Sequence, residues 1–292
     1  MNRKSIVTLV TMVILSISSF AETSTNTLKV PLTIENKKTA LPNDFTSQLP
    51  AVTTFDNVIT KKYGDVKLHT FQSVSVSTVV VENDKLTIID YPGDSEEQAA
   101  KFKKYIESLN KPIDRIILSH RDNSHWLGID KIFPNVPLYS VDADQIHAKP
   151  EGITLPITKI ADNSTQVIDG IKYEFVTNRD INAWEIKLPA QKAVFIEHIG
   201  YVNRHILNAP IDARLKLLQE LNKEGYTWYM PGHGAPMKAP EFVNQVTAYY
   251  TDILKAPTTY KTATEAKAKI MAKYPDYTGE GMLERYLNAL YK

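Results

Sequence analysis

Two hydrophobic rhythms alternate along this chain. Short apolar runs rich in β-branched residues mark strands, and apolar positions three or four apart mark helices. Val66–Ser75 and Val76–Glu82 read as strands, and Lys85–Asp90 as a third, closed by the turn Tyr91-Pro92-Gly93-Asp94. A helix follows, capped by Asp94 or Ser95, with Glu96 and Glu97 in its first turn and Phe102, Tyr105, Ile106 and Leu109 on one face. Asn110-Lys111-Pro112 stops it, and Ile113–Leu118 reads as a buried strand, completing a βαβ unit. Further strands are Val136–Ser140, Gln166–Ile168, Ile171–Thr177 beyond the turn Asp169-Gly170, and Trp184–Leu188 paired with Lys192–Ile196. Arg214–Glu224 is an amphipathic helix, and Tyr226–Met230 the last strand. From Pro240 to Lys292 the period is helical, through Phe242, Val246, Tyr249 and Tyr250, then Ala263–Tyr274 and Met282–Tyr291. These read as helices packed on the same core, and no solenoid period recurs.

The chemistry sits where strands end. Arg115–Leu118 leads through Ser119 into His120-Arg121-Asp122-Asn123-Ser124-His125. Ala193–Ile196 leads into Glu197-His198, and Tyr226–Met230 into Pro231-Gly232-His233-Gly234. Leu86–Ile89 ends in Asp90. Side chains at the same end of neighbouring strands can share one crevice, and imidazole and carboxylate are the usual ligands of zinc and similar ions. The candidate ligands are therefore His120, Asp122, His125, His198 and His233. Asp90 reads as a turn residue bonded to loop amides, and Gly232 and Gly234 as turn residues presenting His233. Trp126 reads as core packing, and His69 and His147 as structural or exposed. His205 has two readings, the mouth of the cleft or the surface. So do Arg121 and Arg179, as anion contacts or surface charges.

Composition narrows the class. The 292 residues include 43% hydrophobic and 23% charged side chains, ordinary for a globular protein with a sizeable core. A net charge of +1 gives no electrostatic reason to expect nucleic acid as a partner. Arg3 and Lys4, the apolar stretch Ile6–Ile17 and Ser19-Phe20-Ala21 have the form of a secretory signal peptide cleaved after Ala21. The alternative, an uncleaved anchor, would need a longer apolar stretch, about 20 residues. Cleavage removes two of the 34 basic residues and none of the 33 acidic, taking the charge from +1 to −1. The chain has no cysteine, which excludes thiolate metal sites, disulfides and cysteine nucleophiles. The expected organisation is a signal peptide at 1–21, a poorly ordered lead-in at 22–49, one domain at 50–239 and C-terminal helices at 240–292 on that domain. Such a protein is periplasmic or secreted and has no integral membrane segment after cleavage.

The order of these motifs resembles the metallo-β-lactamase superfamily. There a strand ends in Thr/Ser-His-x-His-x-Asp-His, and a histidine, a Gly-Asp and a Pro-Gly-His-Gly follow. Ser119–His125 is similar to the first motif, Glu197-His198 sits at the Gly-Asp position, Pro231–Gly234 matches the last, and Asp90-Tyr91-Pro92-Gly93 is similar to the early Asp-x-Gly turn. The resemblance spans about residues 55–235. It implies an α/β fold, a four-layer αββα sandwich, here with a C-terminal helical extension, and metals at one edge.

The chain departs from that ligand set. Asp122 stands at the second histidine, Ser124 at the aspartate, and His198 at the bridging aspartate, while Thr177–Asn182 holds no counterpart of the middle histidine. An alcohol is a poor zinc ligand, and an imidazole cannot bridge two metals as a carboxylate does. One zinc ion is expected rather than two, with iron or manganese as other candidates. The resemblance then implies an exported metal-dependent hydrolase that uses metal-activated water on an ester, thioester, amide or lactone of a small molecule, with Asp122 as base if it does not bind the metal. The altered ligands and the helical tail argue against β-lactams as substrates. The competing reading is a metal-poor, degenerate member that binds a small ligand or acts as a scaffold. The loops that would touch a substrate, about 141–165 and 200–212, carry no recognisable code.

Overall fold

A computed structural model describes residues 55–205 and 210–292. The expected signal peptide and lead-in fall outside these residues. The first sheet runs β1 (Val58–Tyr63), β2 (Val66–Gln72), β3 (Ser77–Glu82), β4 (Leu86–Ile89), β5 (Ile113–Leu118), β6 (Leu138–Ser140) and β7 (Ile157–Lys159) in spatial order. Helices α1 (Glu96–Ser108), α2 (Ile129–Ile132) and α3 (Ala143–His147) punctuate its parallel half. The second sheet contains β8 (Ser164–Ile168), β9 (Ile171–Asn178), β10 (Ala183–Leu188), β11 (Ala193–Ile196), β12 (Trp228–Pro231) and β13 (Met237–Lys238), again in sequence order across the sheet. Helix α4 (Ile211–Lys223) links β11 to β12, and α5 (Ala239–Thr259), α6 (Ala263–Lys273) and α7 (Glu280–Leu290) follow.

Strand periodicity of two builds the layers. Val79, Val81, Ile89 and Ile117 face inward and meet Tyr173, Phe175, Trp184, Ile186, Phe195 and Met230 of the second sheet. Their neighbours Val80, Ile88, Ile116 and Leu118 face outward and pack under Phe102, Tyr105 and Ile106 of α1. Val194 and Ile196 face the other way, onto Leu218 and Leu221 of α4 and Phe242, Val246 and Tyr250 of α5. Covered on both faces, β3, β4, β10 and β11 are buried along their whole length. The result is the expected αββα sandwich with C-terminal helices. Ser95 caps α1, its Oγ accepting from the Gln98 amide at 3.3 Å. Among the described residues no helix is long and apolar enough to cross a membrane.

Two parallel pairs position the site. β4 lies beside β5 with Ile89 opposite Ile117, and β11 beside β12 with Ile196 opposite Pro231. Parallel strands end together, so Asp90, His120, Glu197-His198 and His233 emerge at one edge. The Ser77 amide donates to the Gly232 carbonyl at 2.8 Å and its Oγ to that of Gly234 at 2.6 Å, tying the sheets together there.

Candidate metal centre

At that edge His120, His125, Glu197 and His198, all buried, offer one ligand atom each within 4.8 Å of one another. The proton inventory sets the imidazole tautomers. Asp90 Oδ1 accepts from the Ser119 amide at 2.7 Å, and Oδ2 from Ser119 Oγ at 2.8 Å. With its only proton committed to Asp90, Ser119 Oγ accepts from His120 Nδ1 at 2.8 Å. His125 Nδ1 donates to Asp90 Oδ2 at 3.0 Å. In the neutral imidazoles both Nε2 atoms are thus left with lone pairs, and neither has a hydrogen-bond partner. The same holds for both oxygens of Glu197. Glu197 Oε1 stands 3.5 Å from His125 Nε2, and Oε2 stands 2.9 Å from His198 Nε2 but is not aligned for a hydrogen bond. Buried acceptors that converge without donors are costly unless a cation joins them, so this donor set fits a metal ion.

The electrostatics agree. Burial pushes the Glu197 carboxyl up to about 7, against the pull of His120 and His125. Burial, followed by the charge of His125, brings His198 down to about 3. His120 is also lowered, by burial first. His125 rises to about 9 because the Asp90 charge and hydrogen bond outweigh its burial. Burial thus favours neutral imidazoles at His120 and His198 and a protonated Glu197, while His125 holds a second proton that an ion would have to displace from Nε2. The other nitrogen of His120 and of His125 is anchored through Asp90, through Ser119 or directly, as metal-site imidazoles usually are, whereas Nδ1 of His198 has no hydrogen-bond partner. Asp90 sits at φ +64°, a left-handed conformation that Asp tolerates. Asp90→Asn keeps that backbone but places an amide where three donors converge. We expect it to weaken metal binding about 10- to 100-fold with little change in fold, read by competition against a zinc chelator; an unchanged affinity would remove Asp90 from the supporting role.

The four-residue cluster and the sequence-derived ligand set differ at three points. Glu197 joins the cluster although sequence reasoning passed over it for His198. Asp122 stands outside the four, with a half-exposed carboxylate 3.3 Å from His120 Nε2 and 3.8 Å from His198 Nε2. It is held far below the usual carboxylate range, His120 first among the causes. His233 lies beside the group rather than in it, its ring 5.0 Å from that of His125 and stacked at 5.7 Å on that of His198. Its Nδ1 donates to the Ser75 carbonyl at 2.8 Å, which leaves Nε2 an acceptor. Gly234, at φ +90°, is the turn residue expected. Gly232 is not: a Cβ there would run into the Glu197 carboxylate, so this glycine clears room for a ligand. His205 is buried rather than superficial, bonded through Nδ1 to Tyr249 Oη at 2.8 Å. Arg179 pairs with Asp142 at 2.9 Å and Asp162 at 2.5 Å.

No protein-family model and no curated protein matches this sequence. Solved structures do match in shape. A metallo-β-lactamase from Pontibacter korlensis superposes with a TM-score of 0.53 at 16% identity, over 66% of this chain and 99% of that one. The metallo-β-lactamase FIM-1 from Pseudomonas aeruginosa in its mono-zinc form gives 0.50 at 16% identity, covering 66% and 96%. The apo state of the chemotaxis sensor ODP from T. denticola gives 0.50 at 13% identity, covering 65% and 93%. The chain has the metallo-β-lactamase fold.

Proposed function

We propose that this protein is a metal-dependent hydrolase with one metal ion, held by His120, His125, Glu197 and His198. The convergence of unpartnered acceptors on His120, His125 and Glu197, each imidazole anchored from behind, carries this reading. Imidazoles with a carboxylate and no thiolate suit zinc, with iron or manganese as alternatives. Bound there, such an ion would polarise a carbonyl and bring the pKa of a water towards 7. The protein's own groups supply the rest. Asp122, ionised and half-exposed, is placed to orient a water and take its proton. Its depressed pKa makes it a better acceptor of a hydrogen bond than a strong base. His233 Nε2 supplies a second acceptor beside the centre. The proposed substrates are small esters, thioesters, amides or lactones.

Protein purified without chelator or polyhistidine tag should carry about one metal ion per chain by elemental analysis. His120→Ala and His125→Ala should lose it, and hydrolysis of an ester, thioester, amide and lactone panel should stop with a chelator. Substoichiometric metal, the same in both variants, would refute the centre. A second reading, a ligand-binding or sensing protein, is favoured by Ser124, by the histidine missing from Thr177–Asn182, and by a chemotaxis sensor among the proteins of this fold. Metal present without turnover on any of the panel would select it. We also propose export, supported by the basic–apolar–small pattern of residues 1–21 and the absence of cysteine. The mature N-terminus should read Glu22, and an intact Met1 on exported protein would refute cleavage.

A further inference from the structure

A second group of bonded polar side chains lies on the outer face of the first sheet, towards the end of β3 remote from the metal edge. Thr60 of β1 stands opposite His69 of β2 in the ladder, and Glu82 closes β3. His69 and Glu82 are each only 4% exposed, whereas Thr60 is open to solvent. His69 Nε2 lies 2.9 Å from Glu82 Oε2, and His69 Nδ1 lies 2.9 Å from Thr60 Oγ1. The protons assign the roles. Lys67 at 2.8 Å and Lys111 at 3.0 Å hold Glu82 Oε1. Against the effect of burial, these bonds and that of His69 bring the Glu82 carboxyl down to about 2. An ionised carboxylate only accepts, so Nε2 carries the imidazole proton. Burial lowers the His69 pKa and favours the neutral ring. Nδ1 is then a lone pair that accepts from Thr60 Oγ1. Tyr105 of α1 packs its ring edge against His69 at 5.9 Å and brings its hydroxyl beside Thr60.

An alcohol bonded to a neutral imidazole, itself oriented by a buried carboxylate, is the arrangement of an activated nucleophile. We propose that Thr60 is an acyl-acceptor site, with His69 as its base and Glu82 orienting His69, which takes one acyl group per chain from an activated ester or thioester. Thr60 Oγ1 bonds to the acyl carbon, and its proton passes to His69 Nδ1. The bond from that carbon to the leaving oxygen or sulfur breaks. Its electron pair goes with the leaving group, and the proton on His69 follows it or passes to water. The event is a single transfer, not turnover, and uses no group of the metal centre.

Incubating the full-length, metal-loaded protein with p-nitrophenyl acetate tests this. Fragmentation of the tryptic peptide ending at Lys61 should place an acetyl ester on Thr60. Hydroxylamine should remove that ester and spare the amides that lysines form. Thr60→Ser should keep the ester, and Thr60→Val should lose it. His69→Gln should slow the transfer about a hundredfold. Glu82→Gln can offer Nε2 a donor, which turns the wrong tautomer towards Thr60, and should slow it as well. The wild-type pH profile reads the same base without altering the buried pair. His69 faces Thr60, Glu82 and Tyr105 and feels the charges of Lys67 and Lys111. Since the base must be neutral, the rate should rise with pH through its lowered pKa and level off near neutrality, whereas acetylation of lysines keeps climbing into alkaline pH. His120→Ala, altered at the metal centre, should leave the Thr60 ester unchanged. Amides on lysines without an ester on Thr60 would overturn the proposal. So would equal transfer in His69→Gln, or a Thr60 rate that climbs with pH as the lysines do.

Discussion

Glu197→Gln is expected to strip the metal and, in the metal-free protein above neutral pH, to raise stability. The two effects have one origin. The carboxylate is fully buried, neither oxygen has a hydrogen-bond partner, and burial lifts its pKa from 4.5 to about 7. The unfolded chain therefore releases this proton first. A carboxyl whose folded-state pKa is raised contributes stability that declines as pH rises from 4.5 through about 7 and is gone above that. For this group the whole interval is worth on the order of 3 kcal/mol, reduced by coupling to His120 and His125. Glutamine keeps the shape without the ionisation. With a chelator present, the variant and wild type should be close near pH 5, and the variant should be ahead by a few kcal/mol at pH 8. With saturating zinc the order reverses, because only the wild type gains the linkage stabilisation of a tight ligand. Denaturant titrations at both pH values, with and without metal, give all four numbers. A variant less stable than wild type at pH 8 in chelator would mean that Glu197 is satisfied by protein donors, and that the lone-pair convergence is not a cation site.

That residue also marks the limit of what the sequence disclosed. The layers were legible because inner and outer positions alternate cleanly along β3, β4 and β5, as with Val79, Val80 and Val81. The histidines were legible because each follows an apolar run, and parallel strands end together. The ligand at β11 was not. Positions 197 and 198 are adjacent, both polar, and nothing in the local pattern says which of two consecutive residues turns inward. The signal lay on another strand: Gly232 pairs with the segment after β11, its amide donating to the Glu197 carbonyl at 3.4 Å, and its missing Cβ is the space that Glu197 fills. Asp90 was legible as a turn. Its hold on His125 depends on β4 lying beside β5, a tertiary fact. Strand β1 escaped notice because its middle residues, Thr60, Lys61 and Lys62, are exposed on the edge of the sheet. Such a strand loses the alternation that betrays the others.

Arg214→Met should cost about 3–5 kcal/mol, because it leaves several buried carbonyls without their donor. Arg214 projects from α4 and is almost completely buried. Its guanidinium donates to the carbonyl oxygens of His198 and Ile181, and to that of Asn182 at 3.4 Å. These carbonyls arise where the chain leaves β11 and where it turns into β10, beyond the reach of the sheet ladder. Buried carbonyls there need donors from elsewhere, and one planar fork serves both segments. Methionine matches the aliphatic stem but leaves the oxygens bare, at about 1–3 kcal/mol each. Lysine keeps the charge without the fork and should recover only part of the loss. The midpoint of urea unfolding should fall with an unchanged slope. Since Arg214 grips the backbone of His198, metal should also leave the Arg214→Lys variant faster than wild type at temperatures where both are folded. A cost below about 1 kcal/mol would mean that water satisfies these carbonyls, and that α4 does not hold the His198 segment in place.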